Sequence, residues 1–570
     1  MFRAFRTQSR LSAVVHKYKA AGFVWRFAFA SLVALLTFGL TTSCSVMGVS
    51  HDDSAAQSSQ LSATRPMVVP HYKKFDTKSF QKACDKLTKL AKAGDEAAVI
   101  KQYDVLYNKL AKLDDNANAA YLAYCSNIND ETRSKQFTEA QLDSDNCHNA
   151  ANLAFAAVCK GSCAQTFKKH VGQVAFDYYT QSEESSKREL DLDKQEAKLK
   201  EEYFSAINEA DQDELTPTEL NEKVGPIFVK LVKIRTELAK LNGYDNYADL
   251  ADDVYLRDYE PEDLKKLYAA VKKIGPRFFE LYYGSDASFA FTEEAPEQDL
   301  ATTLNKLQSA GSKIDPVVSD SVELLKKHHL FDIGGDDDRM DGAFTTVFVE
   351  NQVPFIYMKA DGVTDLQTLS HEIGHFTDYR LNASPNNLVY GGGNLDISEI
   401  QANGLQALFT NFYDEIYGGE LGKKAASANL MDQLTNVMDG CIYDEFQREV
   451  YTHPDMTLDE INKCYARIAS EYGDETDDEN AYWWQYVSHT FDSPLYYVSY
   501  ATSGIAALQL WDNSQTDFKG ACKTWREIID AGCYNYGYRE LMAKVKLIDL
   551  TDTHKVSKTC SDVLDYIERL

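Results

Sequence analysis

The chain has 570 residues, of which 44% are hydrophobic, so it is long enough to bury a large core and to form two or three globular domains. Its 87 acidic residues outnumber its 59 basic residues and give a formal net charge of -28 at pH 7. Such a charge repels a phosphate backbone, and no basic stripe after residue 50 offsets it, so we expect no nucleic-acid partner.

The first 44 residues have the pattern of an export signal. Residues 1–26 carry six basic side chains and no acidic one, and an apolar run follows over residues 27–40. The run is short for a permanent transmembrane helix, although an uncleaved signal anchor is an alternative. Cys44 follows a small residue, as at a bacterial lipoprotein processing site, but Thr41 stands where such sites usually carry Leu. We therefore expect an exported protein that is either secreted or attached to the cell surface through a lipid on Cys44.

Ten cysteines remain after Cys44, an even number that could pair completely in an oxidising compartment. The count predicts up to five disulfide bonds, with Cys522 and Cys533 as the easiest local pair. Scattered buried thiols are the alternative. Because no two cysteines have the CxxC spacing of a zinc ribbon, we do not expect cysteine to bind a metal.

The chain after the signal is predicted to be mainly α-helical. Residues 45–74 are polar and aperiodic, which indicates a disordered tether. Apolar residues then recur at helical spacing, and we divide the rest into an N-terminal helical region (75–200) and a larger domain (201–570). The pattern predicts a long exposed helix over residues 186–207, and the Thr216-Pro217 pair is expected to begin the next helix.

Extended structure is predicted only near the middle of the chain. Residues 343–350 and 353–358 are rich in β-branched and aromatic side chains and are separated by two polar residues, which indicates a small sheet or a hairpin. The acidic run over residues 336–341 lacks the spacing of a calcium loop and is interpreted as a solvated turn. Helices are expected from residue 365 to the end.

Residues 366–381 contain an HExxH motif in a helical pattern. A helix places His371 and His375 on one face, where both imidazoles can reach the same ion. Glu372 stands beside them and can take a proton from a metal-bound water and pass it to a leaving amine. Gly374 inside the helix indicates that another backbone or a substrate approaches closely. A surface helix that matches the motif by chance is the alternative.

A third metal ligand has to come from further along the chain. The metzincin pattern fails because Leu381 stands where its third His should be. Glu399, near the start of the next predicted helix, is the favoured candidate. Its alternative role is the acidic member of a capping box in which Asp396 is the N-cap. Asp378 and Asp396 are less favoured ligands.

These residues resemble the thimet oligopeptidase and oligoendopeptidase F family of zinc metallopeptidases. The resemblance includes the HExGH motif, the 24-residue step from His375 to Glu399 and the segment 235–249, and it extends over about residues 200–570. It implies a mainly α zincin-type fold in which two helical lobes surround a deep channel, with the small β-sheet beside the zinc helix. One departure is Gln406, because the family usually carries at this position a second Glu that supports the zinc site.

The resemblance also implies a second catalytic segment over residues 488–504. There, His489 and Tyr500 would face the zinc from the opposite wall and stabilise the oxyanion that forms during peptide hydrolysis. Tyr496 and Tyr497 are the candidates for binding the substrate backbone. The alternative is a half-buried packing surface, since the chain contains 34 tyrosines.

The sequence therefore predicts a zinc-dependent endopeptidase that binds one Zn2+ per chain and hydrolyses short peptides. His371, His375 and Glu399 would bind the metal, and Glu372 would activate the zinc-bound water. One alternative is a peptidyl dipeptidase resembling angiotensin-converting enzyme. Another is a non-catalytic peptide-binding surface lipoprotein with a structural zinc, although such a site has no use for Glu372.

Overall fold

A computed structural model describes residues 67–570 except 68, 182–186, 214, 285–298, 337, 361–364, 384–392, 475–479 and 534. The predicted export signal, Cys44 and most of the predicted tether lie outside the described residues. Among the described helices, none combines the length and the hydropathy that crossing a membrane requires.

The first part of the described chain is helical, as predicted. Its helices are α1 (Thr77–Ala93), α2 (Glu96–Cys125), α3 (Glu131–Cys159), α4 (Ala164–Val171), α5 (Gln173–Gln181) and α6 (Lys187–Asp213). Aspartates that precede α1, α2 and α3 begin these helices by accepting hydrogen bonds from main-chain N–H groups of the first turn. The helix predicted over 186–207 is confirmed as α6.

The helices of the next part lead to the sheet. They are α7 (Pro217–Leu241), α8 (Tyr247–Val254), α9 (Pro261–Lys272), α10 (Gly275–Gly284), α11 (Leu300–Ile314) and α12 (Pro316–His328). The predicted start of α7 is confirmed: Thr216 forms a capping box with Glu219, and Pro217 occupies the first turn, where its missing N–H costs nothing.

The sheet has three strands, β1 (Phe331–Gly334), β2 (Ala343–Phe348) and β3 (Val353–Lys359), in the order β1-β3-β2. β3 pairs in parallel with β1 and antiparallel with β2, so β2 is an edge strand. Both predicted strands are confirmed. The sequence analysis missed β1 because its four residues are too few to establish an alternating pattern.

Helices resume after the sheet and continue to the end of the chain. They are α13 (Leu366–Asn382), α14 (Leu395–Phe409), α15 (Tyr413–Tyr417), α16 (Gly419–Thr452), α17 (Leu458–Glu471), α18 (Ser488–Asp492), α19 (Val498–Thr516), α20 (Phe518–Ala531), α21 (Tyr538–Val545) and α22 (Thr553–Ile567), with 3-10 turns at Thr410–Phe412 and Asn480–Tyr486. Helix α14 packs between α13 and α19, and α19 also packs on α16. This layer of four helices carries the candidate site.

Two hydrophobic cores hold these elements together. The larger core extends from Ala119 to Ile567 and includes the buried faces of α13, α14, α16 and α19. The smaller core joins residues between the start of α1 and the end of α5, from Phe80 to Tyr179, and includes Val349, which directly follows β2. Apart from Val349, the smaller core falls within the predicted N-terminal helical region, while the boundary at residue 200 stays a prediction.

The predicted disulfide bonds are wrong. None of the ten described cysteines forms a disulfide bond, and all ten are buried. Eight of them lie within helices, and Cys163 and Cys533 lie in turns. Burial raises the pKa of the Cys84 and Cys560 thiols to about 12 and keeps them protonated. An even cysteine count carries no information about which side chains are close together, so the alternative of scattered buried thiols is the correct one.

Candidate metal centre

The HExxH motif lies on α13, which packs against α14 with no side chain between the two backbones at Gly374. A Cβ added to Gly374 would lie 2.6 Å from the Cα of Ala402 and 2.8 Å from the carbonyl oxygen of Gln401. Only glycine permits this approach, which places Glu399 of α14 beside the motif. The close backbone contact predicted from Gly374 is thus confirmed.

His371, His375 and Glu399 form a buried group whose ligand atoms all lie within 4.8 Å of one another. Glu399 Oε2 is 3.6 Å from His371 Nε2 and 3.9 Å from His375 Nε2, distances too long for hydrogen bonds. The structure therefore brings together the three predicted metal ligands, which come from two different helices.

The surroundings of the group fit a divalent cation. Among the described residues, Glu399 Oε2 and both ring nitrogens of His375 have no hydrogen-bond partner, although they are buried. Burial lowers the pKa of His371 to about 4 and holds that of His375 well below its usual range, so both imidazoles are neutral and can offer a lone pair. Two imidazoles and one carboxylate are a donor set typical of a catalytic zinc ion. A bound cation would also compensate the buried, unpaired atoms.

The two other acidic candidates have different positions. Asp378 accepts hydrogen bonds from Asn382 (2.6 Å) and from Gln401 of α14 (2.9 Å), so it ties the two helices together instead of joining the group. Asp396 is not the N-cap of α14. That position belongs to Asn394, whose side chain accepts from the N–H of Ile397 at 3.2 Å. The capping-box interpretation of Glu399 is therefore wrong.

Glu372 points toward the sheet and is held there by Thr345 of β2. The Thr345 hydroxyl donates to Glu372 Oε2 at 2.6 Å. Burial, opposed by the hydrogen bond from Thr345 and aided by the charge of Glu399, raises the pKa of Glu372 to about 8. The sequence analysis missed Thr345, because a strand prediction does not reveal which residue faces the zinc helix.

Gln406 stays near the metal group although it replaces the Glu expected from the resemblance. Burial is the largest influence on the pKa of His371 and lowers it, while hydrogen bonds to Gln406 and Asn403 raise that pKa. The Gln406 side chain in turn donates to Asn429 of α16 at 2.7 Å. A neutral side chain thus supports His371 and adds no negative charge.

The predicted second segment lies against the same group. The Tyr496 hydroxyl donates to Glu399 Oε1 at 3.1 Å. The ring centroid of His489 is 5.0 Å from that of Tyr496 and 6.1 Å from that of Tyr500. In the described part of the chain, neither the His489 ring nitrogens nor the Tyr500 hydroxyl has a hydrogen-bond partner, although all are buried. The Tyr497 ring packs on His489, Tyr500 and Tyr443.

A buried arginine that the sequence analysis did not single out fixes the position of α18, the helix that carries His489. Arg235 of α7 donates to the main-chain oxygens of Thr490 and Phe491, and Glu196 of α6 binds its Nε at 2.9 Å. Arg235 begins the segment 235–249 that contributed to the resemblance, but a single sequence gives no sign of which arginine is buried.

No protein-family profile and no curated protein matches the sequence. Solved structures do match. A proposed oligoendopeptidase F has a TM-score of 0.72 and 20% identity over 88% of this chain and 98% of its own. PZ peptidase A with an inhibitor has a TM-score of 0.71 and 19% identity over 89% of this chain and 99% of its own. A proposed oligoendopeptidase F from Bacillus anthracis strain Ames has a TM-score of 0.70 and 17% identity over 88% and 97%.

These similarities confirm the predicted fold class. The chain has the mainly α fold of the oligoendopeptidase F structures, with a small sheet beside the helix that carries HExxH. The similarity in structure covers 88% of the chain and so reaches well before residue 200, where the resemblance in sequence was placed. The deep channel between two lobes stays a prediction.

Proposed function

We propose that the protein is a zinc-dependent endopeptidase that hydrolyses short peptides. The observation that carries the proposal is the buried group of His371, His375 and Glu399, with Glu372 beside it. The fold supports it as well, since the structures of the same fold are named oligoendopeptidase F and PZ peptidase.

Zinc, when bound, lowers the pKa of a water ligand and polarises the peptide carbonyl. The chain's own residues would do the proton transfer. Glu372 Oε2 is occupied by the Thr345 hydroxyl, which leaves the other carboxylate oxygen to accept the proton of the attacking water. Glu372 would then pass this proton to the leaving amine. The cation's positive charge would lower the pKa of Glu372 from its raised value and favour the carboxylate form.

The opposite wall would stabilise the negative charge on the carbonyl oxygen. Tyr500 and His489 are the two candidates, since both carry buried polar atoms without partners among the described residues. A donor that has no partner before the reaction can bind the oxyanion without first breaking a hydrogen bond. Tyr496 and Tyr497 stay our candidates for contacts with the substrate backbone.

The edge of β2 supports binding of an extended peptide. Lys359 N–H donates to the oxygen of Gly342 at 2.9 Å, so these two opposite residues form a hydrogen-bonded pair. Hydrogen-bonded and non-hydrogen-bonded pairs alternate along antiparallel strands, and Thr345 therefore falls in a non-hydrogen-bonded pair, whose N–H and C=O face away from β3. No described residue binds these two groups, and Thr345 is the residue that contacts Glu372. A peptide that pairs here as an added strand would pass beside the catalytic base.

One observation favours a peptidyl dipeptidase as a second candidate. Further along the same edge, the oxygen of Val347 accepts from Asn118 at 3.0 Å and the N–H of Val349 donates to Asp115, both on α2. A peptide paired at Thr345 would meet α2 about two residues further on, which limits its length on that side. Steady release of C-terminal dipeptides from a peptide ladder would favour this candidate over internal cleavage.

The test of the main proposal is the substitution Glu372→Gln in the purified full chain. We expect zinc content to stay at one ion per chain while cleavage of a short-peptide library falls about 10²- to 10⁴-fold, because the proton acceptor is lost and the ligands are kept. The exposed Glu350→Gln variant is the matched control. An unchanged cleavage rate in Glu372→Gln would refute the mechanism.

We also propose that the protein is exported and that Cys44 carries a lipid, with secretion after simple cleavage as the alternative. The supporting pattern is the basic, then apolar, then small-residue order of residues 1–44. Mass spectrometry of the mature N-terminus tests it: a diacylated Cys44 supports attachment, and an unmodified N-terminus beyond residue 44 refutes it.

A further inference from the structure

The hydrogen bond from Tyr496 to Glu399 joins the two walls of the site, one formed by α13 and α14 and the other by α18, the turn after it and α19. Residues 255–257 contact the segments that hold Tyr496 and Glu399 in place. These three residues, here called the clasp, follow α8 and precede α9. Their contacts reach the turn that carries Tyr496 on one side and the N-terminus of α14, which carries Glu399, on the other.

On the first side, the clasp binds the turn between α18 and α19. Tyr255 donates from its hydroxyl to the main-chain oxygen of Pro494 at 3.2 Å, and Arg257 Nη2 donates to that of Leu495 at 2.5 Å. Leu495 has a φ of 65°, a left-handed conformation that costs a residue with a Cβ about 1–2 kcal/mol. The turn is therefore held in a conformation it would not choose alone, directly before Tyr496.

On the second side, the clasp binds the residue that begins α14. The main-chain oxygen of Leu256 accepts a hydrogen bond from the Asn394 side-chain amide at 2.9 Å. Leu256 has a φ of 57°, and its side chain is 56% exposed, so the unusual conformation does not serve to bury that side chain. What it provides is a carbonyl directed at the N-cap of the helix that carries Glu399.

Buried charges fix the clasp itself. The Arg257 side chain is fully buried and binds Asp252 at 2.9 Å. Asp252 also receives two hydrogen bonds of 2.7 Å from Arg448 of α16, whose Nε binds Asp444. A bidentate pair inside such a network has little freedom to reorient. The clasp is thus tied to α16, outside both walls of the site.

We propose that the clasp is a positioning element that holds Tyr496 against Glu399 and thereby raises the affinity of the metal group for zinc. A second partner of a metal-binding carboxylate orients it and tunes its basicity, and losing such partners commonly weakens metal binding about 10- to 100-fold. The inference rests on the proposed function in one respect, namely that the metal is zinc. Tyr255 and Arg257 would act through Tyr496 and would not contact the metal or the substrate.

The test measures zinc affinity of the full chain by competition with a chelator. The variants are Tyr255→Phe, Tyr496→Phe and the double variant. Each single change should weaken zinc binding, Tyr496→Phe by about 10-fold or more and Tyr255→Phe by less. The double variant should bind zinc no more weakly than Tyr496→Phe alone, because Tyr255 acts through the hydroxyl that is already absent. Two independent losses that multiply in the double variant, or an unchanged affinity in Tyr255→Phe, would overturn the inference.

Two further variants separate positioning from general damage. Tyr244→Phe is the matched control, since this hydroxyl binds Asp253 of α8, ahead of the clasp, and its zinc affinity should equal that of the unsubstituted chain. Arg257→Lys keeps the charge opposite Asp252 but has a single donor group, so it should lose less zinc affinity than Arg257→Met. Equal losses in the two arginine variants count against the clasp.

The readout also separates the clasp from the proposed function. Zinc affinity is measured without a substrate, so a chain that binds zinc and cleaves no peptide defeats the endopeptidase proposal and leaves the clasp standing. A chain that cleaves peptides but shows multiplying losses in the double variant defeats the clasp alone.

Discussion

The two walls of the candidate site are built in different ways. The wall that carries His371, Glu372 and His375 is one helix, and Glu399, the third candidate ligand, follows on the next helix, where close packing at Gly374 brings it into place. The opposite wall is a short helix, a strained turn and the start of α19, held by side chains that lie far away in the sequence. The first wall is specified by local spacing, and the second is specified by distant supports.

This contrast suggests where each wall is vulnerable. Substitutions in the first wall should remove the metal or loosen the contact between two helices. Substitutions in the second wall should change the rate of the reaction while the metal stays bound, unless they disturb Tyr496. The three predictions below test this division, beginning with the largest expected effect.

Tyr500→Phe tests the second wall most directly. Because the hydroxyl is buried and has no partner among the described residues, its removal leaves no polar group unsatisfied, and the free energy of unfolding should not fall. If the hydroxyl stabilises the oxyanion, kcat should fall about 10²- to 10³-fold with little change in KM. Steady-state kinetics and urea unfolding measure the two quantities.

The control for Tyr500→Phe is Tyr443→Phe, which removes a buried hydroxyl that accepts a hydrogen bond from Tyr465 and belongs to a ring packed on Tyr497. It should leave kcat within a few-fold of the original value. An equal loss of kcat in both variants would mean that the tyrosines of this region form a packing surface, which was the alternative for residues 488–504.

Gly374→Ala tests the first wall. The new Cβ would lie 2.6 Å from a backbone atom of α14, which cannot move as the end of a flexible side chain can. Overpacking of this kind costs about 1–3 kcal/mol of stability, and pushing the two helices apart should weaken zinc binding, since Glu399 moves with α14. Thermal unfolding and chelator competition measure both effects.

Gly404→Ala is the matched control on α14. Its new Cβ would meet Leu510 Cδ1 at 2.8 Å, a side-chain atom on the face toward α19. This variant should lose stability without losing zinc affinity. If Gly374→Ala binds zinc as tightly as the unsubstituted chain, the backbone contact does not determine the position of Glu399.

The same contrast explains how much the sequence alone revealed. The HExxH helix and the strands β2 and β3 were predictable, because each depends on a spacing along a single element. The grouping of Glu399 with the two histidines was predictable from the 24-residue step that the resemblance implied. Thr345, Arg235 and the clasp were not, since each acts through contacts across tens to hundreds of residues. The disulfide prediction failed for a related reason: a count of cysteines contains no distances.

Thr345→Val tests a contact that joins the sheet to the first wall, and its expected effect is the smallest. The hydroxyl hydrogen bond favours the charged carboxylate and so lowers the pKa of Glu372 against the larger effect of burial. Its removal should therefore raise that pKa. Glu372 must be ionised to accept a proton, so the acidic limb of the kcat/KM profile should move to higher pH in the variant.

The direction of the shift decides between two roles for Thr345. If the residue only fills space, Val has nearly the same shape, and the pH profile should keep its position while the rate changes little. A limb that moves to higher pH, together with unchanged zinc affinity, shows that the strand tunes the base without affecting the ligands. A limb that moves to lower pH would contradict the hydrogen-bond argument, because losing a donor to a carboxylate cannot favour its charged form.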